Sequence, residues 1–98
     1  SGESFKNRVF TILEQKYCDR KSSPSIHYAG RFAAKESIIK AVKSSGYKNP
    51  IPFKDIEILS SDSGAPIVDL HFVLEGECKV SISHTKSHAT ASALYIQK

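Results

Sequence analysis

Methionine is absent from these 98 residues, and cysteine nearly so, with two. A chain that opens Ser1-Gly2-Glu3 has its translation start elsewhere, which predicts a segment upstream of Ser1. Cys18 and Cys78 are too few for a disulfide framework and predict reduced thiols in a cytoplasmic protein. The apolar runs are short and interrupted, so none is long enough to span a membrane. No stretch near the start has the apolar middle and small-residue cleavage site of a signal peptide. Internal repeats and low-complexity tracts are missing too, which leaves one ordinary globular domain. So short a chain buries only part of its surface, and contacts between subunits would add to its stability. Acidic residues are scarce in the first half: through Lys54 there are 11 Lys/Arg against 4 Asp/Glu, and from Asp55 onward 3 against 6. A basic half steers anions to one face, whether nucleic acid, phosphorylated cofactor or acidic protein.

Punctuation along the chain predicts its elements. Phe5, Val9 and Ile12 are spaced for one helical face. Thr11 with Glu14 has the form of a capping box, in which each side chain serves the other's backbone amide. Ser23-Pro24 then opens a long helix running to about Ser44, where proline's missing amide costs nothing, and Gly46 closes it. Gly30 sits inside that helix at a cost of about 1 kcal/mol relative to alanine, which implies the close approach of another backbone or a ligand. Pro50 and Pro52 exclude regular structure around them. Beyond them apolar residues alternate. Phe53 to Ser60 places Ile56 and Ile58 inward and Asp55 and Glu57 outward. Ile67 to Leu74 turns Val68, Leu70, Phe72 and Leu74 inward. Residues 78–83 and 89–96 form a hairpin about Thr85-Lys86-Ser87. Helices followed by consecutive strands predict an α+β fold on an antiparallel sheet.

Three ordered segments carry a resemblance. Ala29-Gly30-Arg31-Phe32-Ala33-Ala34-Lys35-Glu36-Ser37-Ile38-Ile39-Lys40 looks like the signature helix of the 4′-phosphopantetheinyl transferases, a Lys-Glu pair followed four residues later by lysine. Phe53-Lys54-Asp55-Ile56-Glu57-Ile58 with Gly64-Ala65-Pro66 resembles the strand and turn after it. Ser81-Ile82-Ser83-His84-Thr85 resembles the histidine-bearing strand end, and Arg8-Val9-Phe10-Thr11 with Glu14 the early helical segment. The chain therefore resembles the small holo-[acyl-carrier-protein] synthases over nearly its whole length. The family opens with a strand bearing a glycine-x-aspartate motif, and this chain has no counterpart after Ser1, so the strand is expected upstream.

The resemblance implies a reaction in which phosphopantetheine passes from coenzyme A to a serine of an apo-acyl carrier protein in fatty-acid biosynthesis. It makes Glu36 a Mg²⁺ ligand, since a hard cation takes carboxylate oxygen while bridging substrate phosphates. Lys40, one turn on, serves the diphosphate, where an ammonium offsets leaving-group charge. The bland alternative is a Glu36–Lys40 helix pair worth about 0.2–0.5 kcal/mol. Lys35, about 100° around the helix from Glu36, is expected to bind phosphate or carrier protein instead. Arg31 lies about 140° from Glu36, so one helix serves two neighbours. This suggests coenzyme A held between subunits, as in the family's trimers, with Arg31 forked onto the nucleotide phosphate; a surface salt bridge is its ordinary alternative. His84, flanked by Ser83 and Thr85, is by resemblance a coenzyme A contact. Alternation, however, would place it on the apolar face as a core histidine. Glu36 or a metal-bound water could take the serine proton.

Three other readings compete. Cys18, Cys78, His27, His71, His84 and His88 do not form a zinc site, because no paired C-x-x-C exists. A basic module for nucleic acid suits the charge, yet Tyr17, Tyr28, Tyr47 and Tyr95 are scattered and make no stacking platform, so no nucleic-acid partner is expected. A degenerate transferase kept as a scaffold is the third.

Overall fold

The computed structural model describes residues 2–98. Three helices lead, α1 (Gly2–Val9), α2 (Ile12–Asp19) and α3 (Pro24–Ser44); a 3₁₀ turn at Phe53–Asp55 precedes β1 (Ile56–Ser60), β2 (Pro66–Leu70), β3 (Glu77–His84) and β4 (Ala89–Ile96). The fold is α+β, as expected.

The local signals act where they stand. Thr11 adopts extended backbone at the head of α2; its hydroxyl accepts from the amide of Glu14, and Glu14 Oε1 accepts from the amide of Thr11 at 2.8 Å. That box separates α1 from α2. Proline at the first position opens α3, although Ser23 makes no side-chain cap. Gly46 just beyond the helix takes φ +105°, a conformation that glycine adopts without a side-chain penalty.

α3 buries Ala34, Ile38 and Val42, one residue per turn, against Ile56 and Ile58 of β1, and all five are wholly buried. Strands β3 and β4 close the other side of this core. Cys78, Val80 and Ile82 alternate inward on β3, as do Ala91, Ala93 and Tyr95 on β4. Alanines on β4 leave room for α3, whose Ser37 hydroxyl donates to the carbonyl of Ala91 at 3.1 Å. The approach is tight at Gly30, where an added Cβ would stand 3.0 Å from Ile82 Cγ2. The neighbour is a side chain, not the backbone or ligand that a glycine in mid-helix was expected to meet. A second core joins α1, α2 and α3 through Val9, Phe10, Cys18 and Tyr28.

Two expectations need correcting. The strands form two separate antiparallel ladders, β1 with β2 and β3 with β4, and not one continuous sheet. The chain turns away from β2 after Leu70, and a groove of about 660 Å³ opens between β2 and β3, lined by Ile67, Val68, Leu70, Phe72, Cys78 and Val80. Glu57, expected outward, is buried at 6% exposure. The face of β1 that alternation gives to solvent is covered by the α1–α2 corner, and Thr11 donates its hydroxyl to Glu57 Oε2.

Candidate anion-binding site

α2, α3, the end of β1 and the end of β3 meet around a cavity of about 140 Å³ lined by Tyr17, His27, Arg31, Ser60, Ile82 and His84, with Gly64 and Pro66 of the following turn. His27 and Arg31 are four residues apart and so share one face of α3. Arg31 is only 5% exposed. Its guanidinium carbon lies 4.0 Å from the centre of the Tyr17 ring, and its terminal nitrogen donates to the Ser60 hydroxyl at 3.2 Å. Arg31 Nε is buried and, among the described residues, has no hydrogen-bond partner. A buried charged donor without an acceptor is costly, and an anion in the cavity would relieve that cost.

The rest of the lining agrees with an anion. The His27 and His84 rings face edge to face at 5.4 Å between centres, and Lys21 Nζ lies 4.5 Å from the Tyr17 ring. Among the described residues no carboxylate lines the cavity. The Ser60 hydroxyl draws the Tyr17 phenol below its ordinary proton affinity against the effect of burial, and Lys21 and Arg31 add to the pull. Burial, then His84, Lys21 and Arg31 hold the His27 imidazole below its usual range. A phosphate in the cavity would oppose the electrostatic causes, those of Lys21, Arg31 and His84.

His84 is exposed at the cavity mouth and is not a core histidine. β3 ends there, so the alternation that buries Ile82 has no covering element two residues on. Ser83 and Thr85 beside it are exposed; Thr85 Oγ1 accepts from the amides of Ser87 and His88 at 3.3 and 3.2 Å and so shapes the hairpin turn.

Lys35 cannot bind phosphate or a carrier protein. Its side chain is wholly buried, and Nζ donates to Glu14 Oε1 and the Val9 carbonyl at 2.7 Å and to the Phe53 carbonyl at 3.1 Å. Three acceptors use all three ammonium protons. Burial lowers its proton affinity and Glu14 opposes that. The pairing joins residues 21 apart in sequence, which helix geometry alone does not reveal.

Glu36 and Lys40 lie on the exposed side of α3, and among the described residues neither has an ion-pair partner, so the ordinary helix pair between them is not formed. His27 and Glu36 are nine residues apart, as are Arg31 and Lys40, which places each pair about 180° apart around the helix. The acidic and basic stripe therefore faces away from the cavity of its own chain. Glu57, Asp69 and His71 form the one cluster of three potential metal ligands among the described residues. His71 Nε2 stands 3.4 Å from Asp69 Oδ2 and 3.5 Å from Glu57 Oε1, an imidazole between two carboxylates on the β1–β2 ribbon. Glu36 is not part of it. Tyr17 and Ser60 line the cavity without having been singled out in the sequence, since they enter through α2 and β1. His27 was legible as a neighbour of Arg31 from its four-residue spacing.

The sequence profile of the 4′-phosphopantetheinyl transferase superfamily matches residues 1–94. A holo-[acyl-carrier-protein] synthase of Protochlamydia amoebophila is 41% identical over 99 residues, a match covering 96% of this chain and 80% of the relative. Fatty acid synthase subunit alpha of Schizosaccharomyces pombe is also 41% identical, over 94% of this chain but only 5% of that subunit. Among solved structures, an ACPS–CoA complex from Chronobacterium ammoniagenes superposes with a TM-score of 0.83 at 30% identity, covering 100% of this chain and 84% of the other.

Proposed function

Because this chain belongs to the 4′-phosphopantetheinyl transferase superfamily, we propose that it acts as a holo-[acyl-carrier-protein] synthase, moving phosphopantetheine from coenzyme A to a serine of an apo-acyl carrier protein. The serine oxygen forms a bond to the phosphorus that carries pantetheine. The bond from that phosphorus to the leaving oxygen breaks and releases adenosine 3′,5′-bisphosphate. The serine proton passes to a base.

The observation that carries this reading is the unsatisfied Arg31 Nε in a cavity with basic walls and no carboxylate. The nucleotide phosphate fits that demand, with Arg31 held by Ser60 and Tyr17 and His84 at the rim, next to Ser83 and Thr85. Lys40 takes the diphosphate. Glu36 is the residue that would hold Mg²⁺: an exposed, unpaired carboxylate suits an ion that keeps several waters and needs only one or two protein ligands beside substrate phosphates. The chemistry the ion supplies when bound is neutralisation of charge on the transferred phosphoryl group.

Since Arg31 and Lys40 point to opposite sides of α3, one coenzyme A engages both by lying between two copies of the chain. A homotrimer provides three such sites. Apolar residues left exposed on one copy support association: Val73 at 93%, Leu94 at 67% and Ile67 at 48%. The acidic carrier protein docks on the basic half, where Lys6 borders an apolar hollow of about 470 Å³ lined by Phe5, Phe10, Tyr28 and Phe32. Its place is fatty-acid synthesis, which the synthase-subunit relative supports. The two free cysteines suit a reducing cytoplasm, and among the described residues no helix is long and apolar enough to cross a membrane.

The test is to incubate the full-length protein with coenzyme A, Mg²⁺ and an apo-acyl carrier protein, and to weigh the carrier. A gain of one phosphopantetheine is expected, with Glu36→Gln reducing turnover about a hundredfold or more while leaving the circular dichroism spectrum unchanged. A carrier whose mass never changes ends the proposal.

A further inference from the structure

Among the described residues, His27 is the one titratable side chain lining the cavity for which the reaction above has no use. It lies one turn before Arg31 on the same face of α3, 5.4 Å from His84 and 6.1 Å from Tyr17 between ring centres. We propose that His27 is a specificity-determining contact for the 3′-phosphate of coenzyme A, binding it as an imidazolium and taking up a proton as the ligand enters. The inference rests on the synthase reading and names the part of the ligand that this histidine recognises.

The charges around the ring carry the argument. α2 brings Tyr17, the segment between α2 and α3 brings Lys21, α3 brings Arg31, and β3 brings His84, while β1 adds only the uncharged Ser60 hydroxyl. In the free protein burial, and then this company, oppose a further positive charge and so favour the neutral imidazole. A dianionic phosphate reverses the balance. It accepts from Arg31 Nε, which otherwise has no acceptor, and it turns the repulsion between His27 and the surrounding cations into a shared attraction. Proton uptake follows wherever the bound phosphate raises the proton affinity of an imidazole that the free protein holds low. Affinity for coenzyme A should therefore rise as pH falls towards neutrality, through protonation of His27.

The geometry allows a rival, in which the His27 and His84 rings hold the adenine by stacking and no proton moves. Calorimetric titration of the full-length protein with coenzyme A at pH 7.5, in two buffers of different ionisation enthalpy, separates the two. Net proton uptake is expected with coenzyme A and not with dephospho-coenzyme A, which lacks the 3′-phosphate. His27→Gln should abolish the uptake and weaken coenzyme A about tenfold at pH 6.5, with a smaller effect at pH 8.5, while dephospho-coenzyme A binds as before. Uptake that persists in His27→Gln puts the proton elsewhere and overturns the proposal. So does an equal loss of affinity for both ligands, which is the stacking result. Failure to bind coenzyme A at all removes the synthase reading and this inference with it, whereas binding without uptake removes this inference alone.

Discussion

Lys35 Nζ stands 2.7 Å from Glu14 Oε1, and both side chains are wholly buried. Glu14 spends its remaining capacity on backbone, accepting from Thr11 N with Oε1 and from Ile58 N with Oε2 at 2.7 Å. One carboxylate thus ties the head of α2, the middle of α3 and the free edge of β1. Lys35 fixes the rotation of α3 as well: with Lys35 inward, Glu36 about 100° on must face outward.

Removing one member of this pair strands the other. Lys35→Met is expected to cost about 3–5 kcal/mol, because Glu14 is left as a buried charge without its cation. The double variant Lys35→Met/Glu14→Gln should recover a large part of that loss. Urea midpoints of the wild type and the two variants measure it. A Lys35→Met protein as stable as the parent would show that the pair contributes nothing.

The capping box was readable because Thr11 and Glu14 are three residues apart, and the limits of α3 because Ser23-Pro24 and Gly46 act locally. The partners of those same residues were not readable. Thr11 bonds to Glu57, 46 positions away, and Glu14 to Lys35 and Ile58. Alternation assigned Glu57 to solvent correctly for a strand with one covered face, and β1 has two. Helix spacing put Arg31 and Glu36 on separate faces of α3, where Arg31 is buried and Glu36 exposed, yet neither spacing nor the resemblance distinguished the buried Lys35 from its exposed neighbours. Only the α2 and β1 residues around Arg31, Tyr17 and Ser60, reveal the cavity.

If one site takes Arg31 from one copy and Glu36 with Lys40 from the next, complementation follows. Arg31→Ala and Glu36→Gln should each be inactive alone. Denatured together in equal amounts and refolded, they should regain about a quarter of wild-type activity, since a random interface pairs two intact halves with that frequency. A mixture that stays as inactive as its parents would place the whole site within a single chain.

Gly76 and Gly46 both have positive φ, at +121° and +105°, but their surroundings differ. An added Cβ at Gly76 would overlap the Ile96 carbonyl oxygen and lie 2.9 Å from Tyr95 Cε1, whereas at Gly46 nothing among the described residues lies within 4 Å. Gly46→Ala is expected to cost about 1 kcal/mol from backbone strain alone. Gly76→Ala adds a clash with backbone that cannot move without parting the end of β4, and should cost more than about 2 kcal/mol, or roughly 10 °C in Tm. Thermal melts of the two variants side by side read the difference; equal shifts would mean that the turn before β3 yields freely.

Cys18 is wholly buried, and burial pushes its thiol up from 9.0 to about 11. The folded state therefore holds the proton more tightly than the unfolded state does. Its contribution to stability is complete below pH 9 and is lost as pH rises from 9 to 11, as the unfolded thiol ionises first. By pH 10 the loss from this one group should reach about 1.4 kcal/mol, one unit of displaced titration. Tyr28, also raised by burial and by its bond to Asp19, adds loss of the same sign above pH 10. Lys35 acts the other way, since its lowered proton affinity makes the unfolded chain the better proton binder below 10.5. Comparing the wild type with Cys18→Ala cancels both. Urea titrations at pH 8, 9 and 10 should show the gap in stability between the two proteins narrowing with pH by about that amount. A gap constant across the range would mean that the buried thiol ionises as readily in the folded protein as in the unfolded chain.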